Sequence, residues 1–246
     1  MATARISFTL EPRRVVQAMV AAVALLVAGS LAGQVLRLAF GYDHLFGFVP
    51  LFYVDREANL PAWYSSMTLL FCGVVLGSIA SDARREGRPH PRLWAGLAAV
   101  FCLLSVDEAA GMHELVGSAL LGVVPAQGVL FYAWVLPGGL FVVGMAAVYF
   151  RFLLRLPART RALVVAAAGC FVFGALGMEM ATGYYVTLYD TKRSVGYLLL
   201  AHGEELLEMV GIVVFVYALL DYKARLGSAD EPAARSAVQL PDGRPA

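Results

Sequence analysis

Six long apolar runs make up most of this sequence. Each run is long enough to cross the hydrocarbon core of a bilayer as a helix, which takes about 20 residues. Hydrophobic residues make up 60% of the chain and charged residues only 15%, a composition typical of membrane proteins. Because a chain in lipid must satisfy its backbone hydrogen bonds internally, we expect an all-α, polytopic integral membrane protein with a six-helix transmembrane bundle. The predicted helices cover about 15–40, 61–81, 92–118, 127–153, 161–188 and 195–221.

The polar segments between the runs differ in their content of lysine and arginine. If residues 1–14 lie inside, the inside segments hold fifteen of the 19 basic residues and the outside segments hold four. Basic residues favour the cytoplasmic side. We therefore expect a multi-pass protein of a bacterial-type inner (plasma) membrane with both termini cytoplasmic. The segment 223–246 is rich in Ala, Pro, Ser and Gly, which predicts a disordered cytoplasmic tail.

Two of the apolar runs contain dense polar stretches, Ser105 to Glu114 and His202 to Met209, and a third run contains Glu179. A charged side chain at the centre of a membrane helix costs about 2.5–3.5 kcal/mol even on insertion scales. Such residues therefore need a metal, a proton, a partner charge or water. The predicted orientation places all three groups in the outer half of the membrane, so we expect them to form one shared site.

The residue types in these stretches predict a metal site. Carboxylates and imidazoles inside a helix bundle are the ligands of di-metal carboxylate proteins, and the same set with a bound water suits zinc. Zinc or iron is expected, and copper less so, although methionines flank the acidic residues. Glu108 and Glu208 are expected to act as general acid or base. The expected metal ligands are Asp107, His113, Glu114, Glu179, His202 and Glu205.

Helical geometry adds two local predictions. At 100° per residue, Asp107 and Glu114 lie on one face of the third helix, two turns apart. Pro137-Gly138-Gly139 falls inside the fourth predicted helix, and proline there predicts a kink or short break.

A further polar segment, Asp55 to Ser66, precedes and begins the second predicted helix. It carries carboxylates, an amide, aromatic rings and hydroxyls. Two interpretations remain open: the segment contributes to the acidic site, or it is a capped turn anchored at the membrane interface by aromatic side chains. Arg56 is correspondingly either a counter-ion for the acidic site or a surface charge.

Three motifs together resemble an uncharacterised family of bacterial multi-pass membrane proteins. They are Asp-x-Glu-x-Asn-x-Pro-x-Trp at 55–63, Ser-x-Asp-Glu with His-Glu at 105–114, and His-x-Glu-Glu-x-x-Glu at 202–208. The chain also distantly resembles the membrane-embedded zinc hydrolases of the alkaline ceramidase and adiponectin-receptor type. That resemblance implies roles for Ser105, Asp107 and His202. The chain has six predicted helices instead of seven and lacks the paired C-terminal histidines of that type.

Two classes of function fit these features. One is a metal-dependent membrane hydrolase or oxidoreductase that acts on a lipid or lipophilic small molecule from the outer leaflet. The other is a proton- or ion-coupled transporter, or a sensory or assembly subunit without catalysis. The lipid bilayer is an expected partner, and the net charge of +1 gives no indication of nucleic-acid binding. The oligomeric state is left open.

Overall fold

The computed structural model describes the backbone of residues 11–238 and the side chains of residues 11–226. Within these ranges the chain forms helices and turns without a strand, which confirms the all-α prediction for this part of the chain. The predictions for residues 1–10 and 239–246, as parts of cytoplasmic segments, lie outside the described residues.

Nine α-helices follow one another in the described residues, two of them short. A π-helical segment, Phe173–Met178, joins the seventh to the eighth. Single 3-10 turns cover Leu45–Gly47 and Gly128–Leu130. The helices are α1 Pro12–Phe40, α2 Phe48–Phe52, α3 Leu60–Arg85, α4 Pro91–Ala110, α5 Met112–Leu120, α6 Val135–Arg155, α7 Ala158–Val172, α8 Glu179–Tyr189 and α9 Val195–Val238.

Five helical stretches of the described chain are long and apolar enough to cross a membrane, namely α1, α3, α4, α6 and the continuous α7–α8 unit. Many of their apolar side chains point outward, as the large exposed side chains of Leu25, Leu103 and Leu140 show. Helix α9 differs because its uncharged stretch, 209–220, is short and has Glu208 and Asp221 on either side.

Helix α9 lies at the centre of the fold. It contacts α1, α3, α7, the π-helical segment and α8. The side chains of Ala218 and Leu219 are completely buried, and Met209 and Val216 are 1% exposed. Because these neighbours surround α9, its polar side chains at 202–208 face other parts of the protein.

The predicted third helix is wrong as a single element, because it breaks at Gly111. Gly111 has φ 58° and ψ 37°, and its N–H donates to the carbonyl of Asp107. A glycine in the left-handed region is a common way to end a helix. The chain then starts α5 in a new direction. The shared face predicted for Asp107 and Glu114 is therefore also wrong, since the two residues belong to different helices.

Two further predicted boundaries differ from the structure. The fourth helix begins at Val135 instead of 127, so Pro137 lies in its first turn, where the missing N–H costs no helical hydrogen bond. The predicted kink at Pro137-Gly138-Gly139 does not form. Helix α9 continues to Val238, although the composition from residue 223 predicted a disordered tail.

The connecting segments gather at two opposite ends of the fold. At one end Arg193 binds Asp43, and the Gly128 N–H donates to Thr187 at 2.8 Å. The segments 41–59, 121–134 and 190–194 therefore lie together at this end. At the other end Arg159 binds Asp221, and Lys223 binds Asp82.

Candidate functional site

One cavity of about 1190 Å³ lies between the helices of the second half of the fold and α4. Nine of the 18 acidic residues of the chain line it. Half of the acidic side chains thus face one internal space of a mostly apolar protein. We name eight of them the carboxylate cluster: Glu57, Asp107, Glu108, Glu114, Glu179, Glu204, Glu205 and Glu208.

Four helices (α4, α5, α8 and α9) and the segment before α3 supply the carboxylate cluster. Glu108 from α4 is an electrostatic neighbour of both Glu205 and Glu208 from α9. Glu179 at the start of α8 is a neighbour of the same two α9 residues. The sequence prediction that separate stretches converge agrees with this arrangement for five of its six proposed metal ligands, all except His202.

Asp107 and His113 form a defined pair across the helix break. The Oδ1 atom of Asp107 accepts a hydrogen bond from the backbone N–H of His113 at 2.8 Å, and its Oδ2 lies 3.1 Å from His113 Nδ1. Asp107 therefore satisfies one of the free N-terminal N–H groups of α5 and orients the imidazole. The His113 ring also packs on Trp134, with 4.9 Å between centroids.

Glu57 joins the cluster from the segment before α3. Its carboxylate lies against Gly111, and its Oε1 is buried without a hydrogen-bond partner among the described residues. Burial raises the pKa of the Glu57 carboxyl, Glu114 raises it further, and His113 opposes the shift. The sequence motif at 55–63 pointed to this segment but did not single out Glu57 as a site residue.

The π-helical segment places the Glu179 side chain. π-Helical turns widen a helix locally and are frequent at functional sites. Glu204 on α9 accepts a hydrogen bond from Thr182 Oγ1 at 3.3 Å and lies within hydrogen-bonding reach of Glu179. Two carboxyl groups in contact repel each other unless they share a proton or bind a cation.

His202 lies apart from the cluster. Its Nδ1 lies 2.8 Å from the carbonyl of Leu198 and its Nε2 lies 2.9 Å from Ser30 Oγ. A carbonyl only accepts, so Nδ1 donates, and in the neutral imidazole Nε2 then accepts the Ser30 hydroxyl proton. Ser30 Oγ in turn accepts from the Val54 N–H at 3.2 Å. His202 thus connects α9 to α1 and is not among the cavity-lining residues.

Ser105, the serine of the zinc-hydrolase resemblance, faces α3. Its hydroxyl donates to the carbonyl of Ser66 at 2.8 Å, and the Ser66 hydroxyl donates back to the Ser105 carbonyl. The side chains of Ser105, Asp107 and His202 therefore have three different sets of partners. The hydrolase resemblance stays a prediction.

The segment 55–63 contains both a helix cap and residues that line the cavity, so each of the two sequence interpretations applies to part of it. Asn59 caps α3 by accepting from the Ala62 N–H at 3.1 Å and donates to the carbonyls of Pro50 and Tyr53. Asp55 accepts hydrogen bonds from the hydroxyls of Tyr53 and Tyr197, each at 2.8 Å. Asn59 is thus a structural cap, whereas Asp55 and Glu57 line the cavity.

The side chains that line the cavity change from charged at one end to apolar at the other. Arg56, Glu114 and Lys192 line it and are exposed, so the cavity opens to the surface at the end where the segments 41–59 and 190–194 lie. We call this opening the mouth and define it by Arg37, Tyr53, Asp55, Arg56, Tyr132 and Lys192.

Beyond the carboxylate cluster the cavity is lined by aromatic and aliphatic side chains. Trp94 lies 14 residues before Glu108 on α4, which corresponds to about 21 Å of helix. The cavity also reaches the side of the fold, because Phe141, Phe150 and Val165 line it and are exposed. We call the deep part the apolar end and define it by Trp94, Phe101, Phe152, Leu156 and Phe215.

The donor set of the cluster is suited to a cation, but its side chains are not arranged as a closed metal cage. Among the described residues, no group of three or more His, Cys, Asp or Glu side chains lies in a metal-binding arrangement. Binding of a metal therefore requires rotation of the glutamate side chains. Long, flexible glutamates lining an open cavity allow such rotation.

Comparison with known proteins places the chain in a family. Neither a search of curated proteins nor a search of solved structures found a match. The family described as Domain of unknown function (DUF8692) matches residues 14–222, a range that contains every residue lining the cavity. The chain therefore belongs to the DUF8692 family.

Proposed function

We propose that this protein is an integral membrane protein whose cavity binds a lipophilic molecule, with the polar part of that molecule next to a divalent cation held by the carboxylate cluster. The lining of the cavity gives the main support for this proposal. Eight carboxylates occupy one zone of it, and a long aromatic and aliphatic zone follows. A molecule with one polar and one apolar end matches this division.

The membrane setting is part of the proposal. Five helical stretches have the length and hydropathy to cross a bilayer, and the central α9 is the proposed sixth. The fifteen-to-four distribution of basic residues supports a plasma-membrane protein with both termini in the cytoplasm. The mouth then faces the outer side. The exposed Phe141, Phe150 and Val165 give a lipophilic molecule a lateral path from the bilayer.

The cation is inferred from charge balance. Glu205 and Glu208 are surrounded by Glu108, Glu179 and each other, and the basic residues that line the cavity are confined to the mouth. Several carboxylates can remain together in a poorly solvated space only with protons or cations. Carboxylates with one imidazole suit zinc or iron, and His113 supplies that imidazole.

A bound cation in this position allows chemistry on the lipophilic molecule. A divalent metal polarises an oxygen atom or lowers the pKa of a bound water. Glu108 and Glu208 line the same zone and are the proposed general acid and base. Metal-dependent hydrolysis or oxidation of a lipid or lipophilic substrate is the proposed reaction class, and the zinc-hydrolase resemblance supports the hydrolytic alternative.

Tryptophan fluorescence tests whether the cavity binds a lipophilic molecule. Trp94 and Trp134 line the cavity, whereas Trp63 does not and is exposed. In a Trp63→Phe background, a dibrominated fatty alcohol added to the detergent-purified protein should quench the remaining tryptophans saturably, because bromine quenches on contact.

Two neighbouring alanines on α6 provide a matched pair of variants for this test. Ala146 and Ala147 are both exposed, but only Ala146 lines the cavity. Ala146→Phe should weaken or abolish saturable quenching, and Ala147→Phe should leave it unchanged. Equal quenching in both variants and in the parent protein would contradict binding inside the cavity.

A transporter is the second candidate, and one observation favours it. Trp94, Phe152 and Leu156 at the apolar end also line a smaller cavity of about 250 Å³ with His90 and Arg155. Only a few aromatic and aliphatic side chains therefore separate the main cavity from the opposite end of the fold. Proton or metal flux in proteoliposomes distinguishes a transporter from an enzyme that binds its ligand without translocation.

A further inference from the structure

The mouth of the cavity has the opposite charge from its interior. Arg37, Arg56 and Lys192 line the mouth, whereas the carboxylate cluster below it is acidic. A ligand that passes from the mouth to the apolar end therefore meets positive charge, then negative charge and then an apolar wall. The order of charges along the cavity therefore indicates which headgroup the ligand carries, whereas the apolar end indicates only that the ligand is lipophilic.

Lys192 is held over the mouth by aromatic side chains. Its Nζ lies 5.0 Å from the centroid of the Tyr132 ring and 6.0 Å from that of Tyr197. Partial burial disfavours the charge, but the Tyr132 hydroxyl, Asp55 and Glu179 together raise the pKa of Lys192 above its usual value. The ammonium is therefore positioned and charged at neutral pH.

Two cations of the mouth are available to a ligand. Within residues 11–226, neither Lys192 nor Arg56 has a carboxylate at ion-pair distance. Asp55, the acidic residue of the mouth, accepts hydrogen bonds from the hydroxyls of Tyr53 and Tyr197. Arg37, in contrast, binds Asp43 at 3.4 Å and lies over the Tyr53 ring. Lys192 and Arg56 thus remain as donors for an anion.

We propose that the mouth binds the phosphate of an anionic lipid, with Lys192 and Arg56 as its recognition residues and the acyl chains in the cavity below. Lysine and arginine are the side chains that recognise phosphate most often. Lys192 and Arg56 then hold the phosphate at the mouth. The bonds that join the headgroup to the acyl chains then lie beside the cluster. This inference rests on the cavity proposed to bind lipophilic molecules.

Headgroup selectivity in the quenching assay tests this inference. The probes are phosphatidic acid, phosphatidylcholine and diacylglycerol with the same dibrominated acyl chains, each titrated into the Trp63→Phe protein. A charged hydrogen bond contributes enough free energy that phosphatidic acid should bind about tenfold more tightly than diacylglycerol. Phosphatidylcholine should bind more weakly than phosphatidic acid, because its choline carries a compensating positive charge.

Lys192→Gln and Arg56→Gln should each reduce the preference for phosphatidic acid and leave diacylglycerol binding unchanged. Arg193→Gln is the matched control, because Arg193 is exposed next to Lys192 but binds Asp43 and does not line the cavity. Quenching without headgroup preference would overturn the lipid phosphate site and leave the proposed cavity intact, whereas absence of saturable quenching by every probe would contradict both.

Inorganic phosphate separates a lipid headgroup from a free anion as the source of the phosphate. It should displace brominated phosphatidic acid only at far higher concentrations, because it lacks acyl chains. Displacement by inorganic phosphate at concentrations similar to those of the lipid would overturn the assignment to a lipid.

Discussion

At the scale of single residues, Gly111 shows how one position shapes the site. Its left-handed backbone ends α4 and starts α5, and the Glu57 carboxylate lies where a side chain would project. The polar stretch 105–114 could be identified from sequence, because charge in an apolar run is costly. The break could not, because a glycine inside a helical pattern is compatible with both a continuous helix and a C-cap.

Gly111→Ala should therefore lower the stability of the protein by more than the cost of backbone strain alone. A non-glycine residue in the left-handed region costs about 1–2 kcal/mol, and the added methyl group also displaces Glu57. Gly87→Ala is the control, since Gly87 has φ 65° but no atom of the described residues lies within 4 Å of its Cβ position. Thermal unfolding in detergent should show a lower midpoint for Gly111→Ala than for Gly87→Ala. Equal midpoints would show that Glu57 does not occupy that space.

His202 illustrates a different limit at the same scale. A histidine followed by glutamates in an apolar run predicted a ligand, and the residue types alone could not show which face of α9 it occupies. The structure pairs it with Ser30, 172 positions away. Contacts of this kind depend on how α1 packs against α9, and that packing leaves no local pattern in the sequence.

At the scale of secondary structure, the π-helical segment Phe173–Met178 brings α7–α8 close to α9. A Cβ at Gly174 would lie 2.9 Å from Glu208 Cγ and 3.0 Å from the Glu204 carbonyl. Ala166, Cys170 and Gly174 are small residues at four-residue spacing, a pattern that suits close helix packing, and Gly174 makes this contact. The π-helical turn itself was not predicted, since its hydrogen bonding has no simple sequence period.

Gly174→Ala should push α9 away from α8 and disturb the Glu179–Glu204 contact. We expect a lower unfolding midpoint in detergent, by an amount equivalent to about 1–3 kcal/mol for overpacking. Gly169→Ala is the matched control, because no atom of the described residues lies within 4 Å of its Cβ position and alanine favours a helix. If Gly174→Ala were as stable as Gly169→Ala, the close approach of α9 would be wrong.

At the scale of the whole molecule, the alternation of apolar runs was sufficient to predict that the polar stretches meet at one side. Three successive reversals of the chain bring α4, α8 and α9 together there, and the acidic residues line one cavity. The volume of that cavity could not be predicted, because it depends on helix α6. Helix α6 contacts α7 and the π-helical segment, while long side chains such as Tyr149 reach across to the carbonyl of Leu93 on α4.

The metal content of the purified protein decides whether the carboxylate cluster holds a cation. Elemental analysis of protein prepared without chelators should find stoichiometric zinc or iron in the wild type. Glu205→Gln with Glu208→Gln should lose that metal, and so should His113→Ala. His202→Ala should retain it, since His202 binds Ser30 outside the cavity. Wild-type protein without stoichiometric metal, or cluster variants that keep the full amount, would contradict a cation held by the carboxylate cluster.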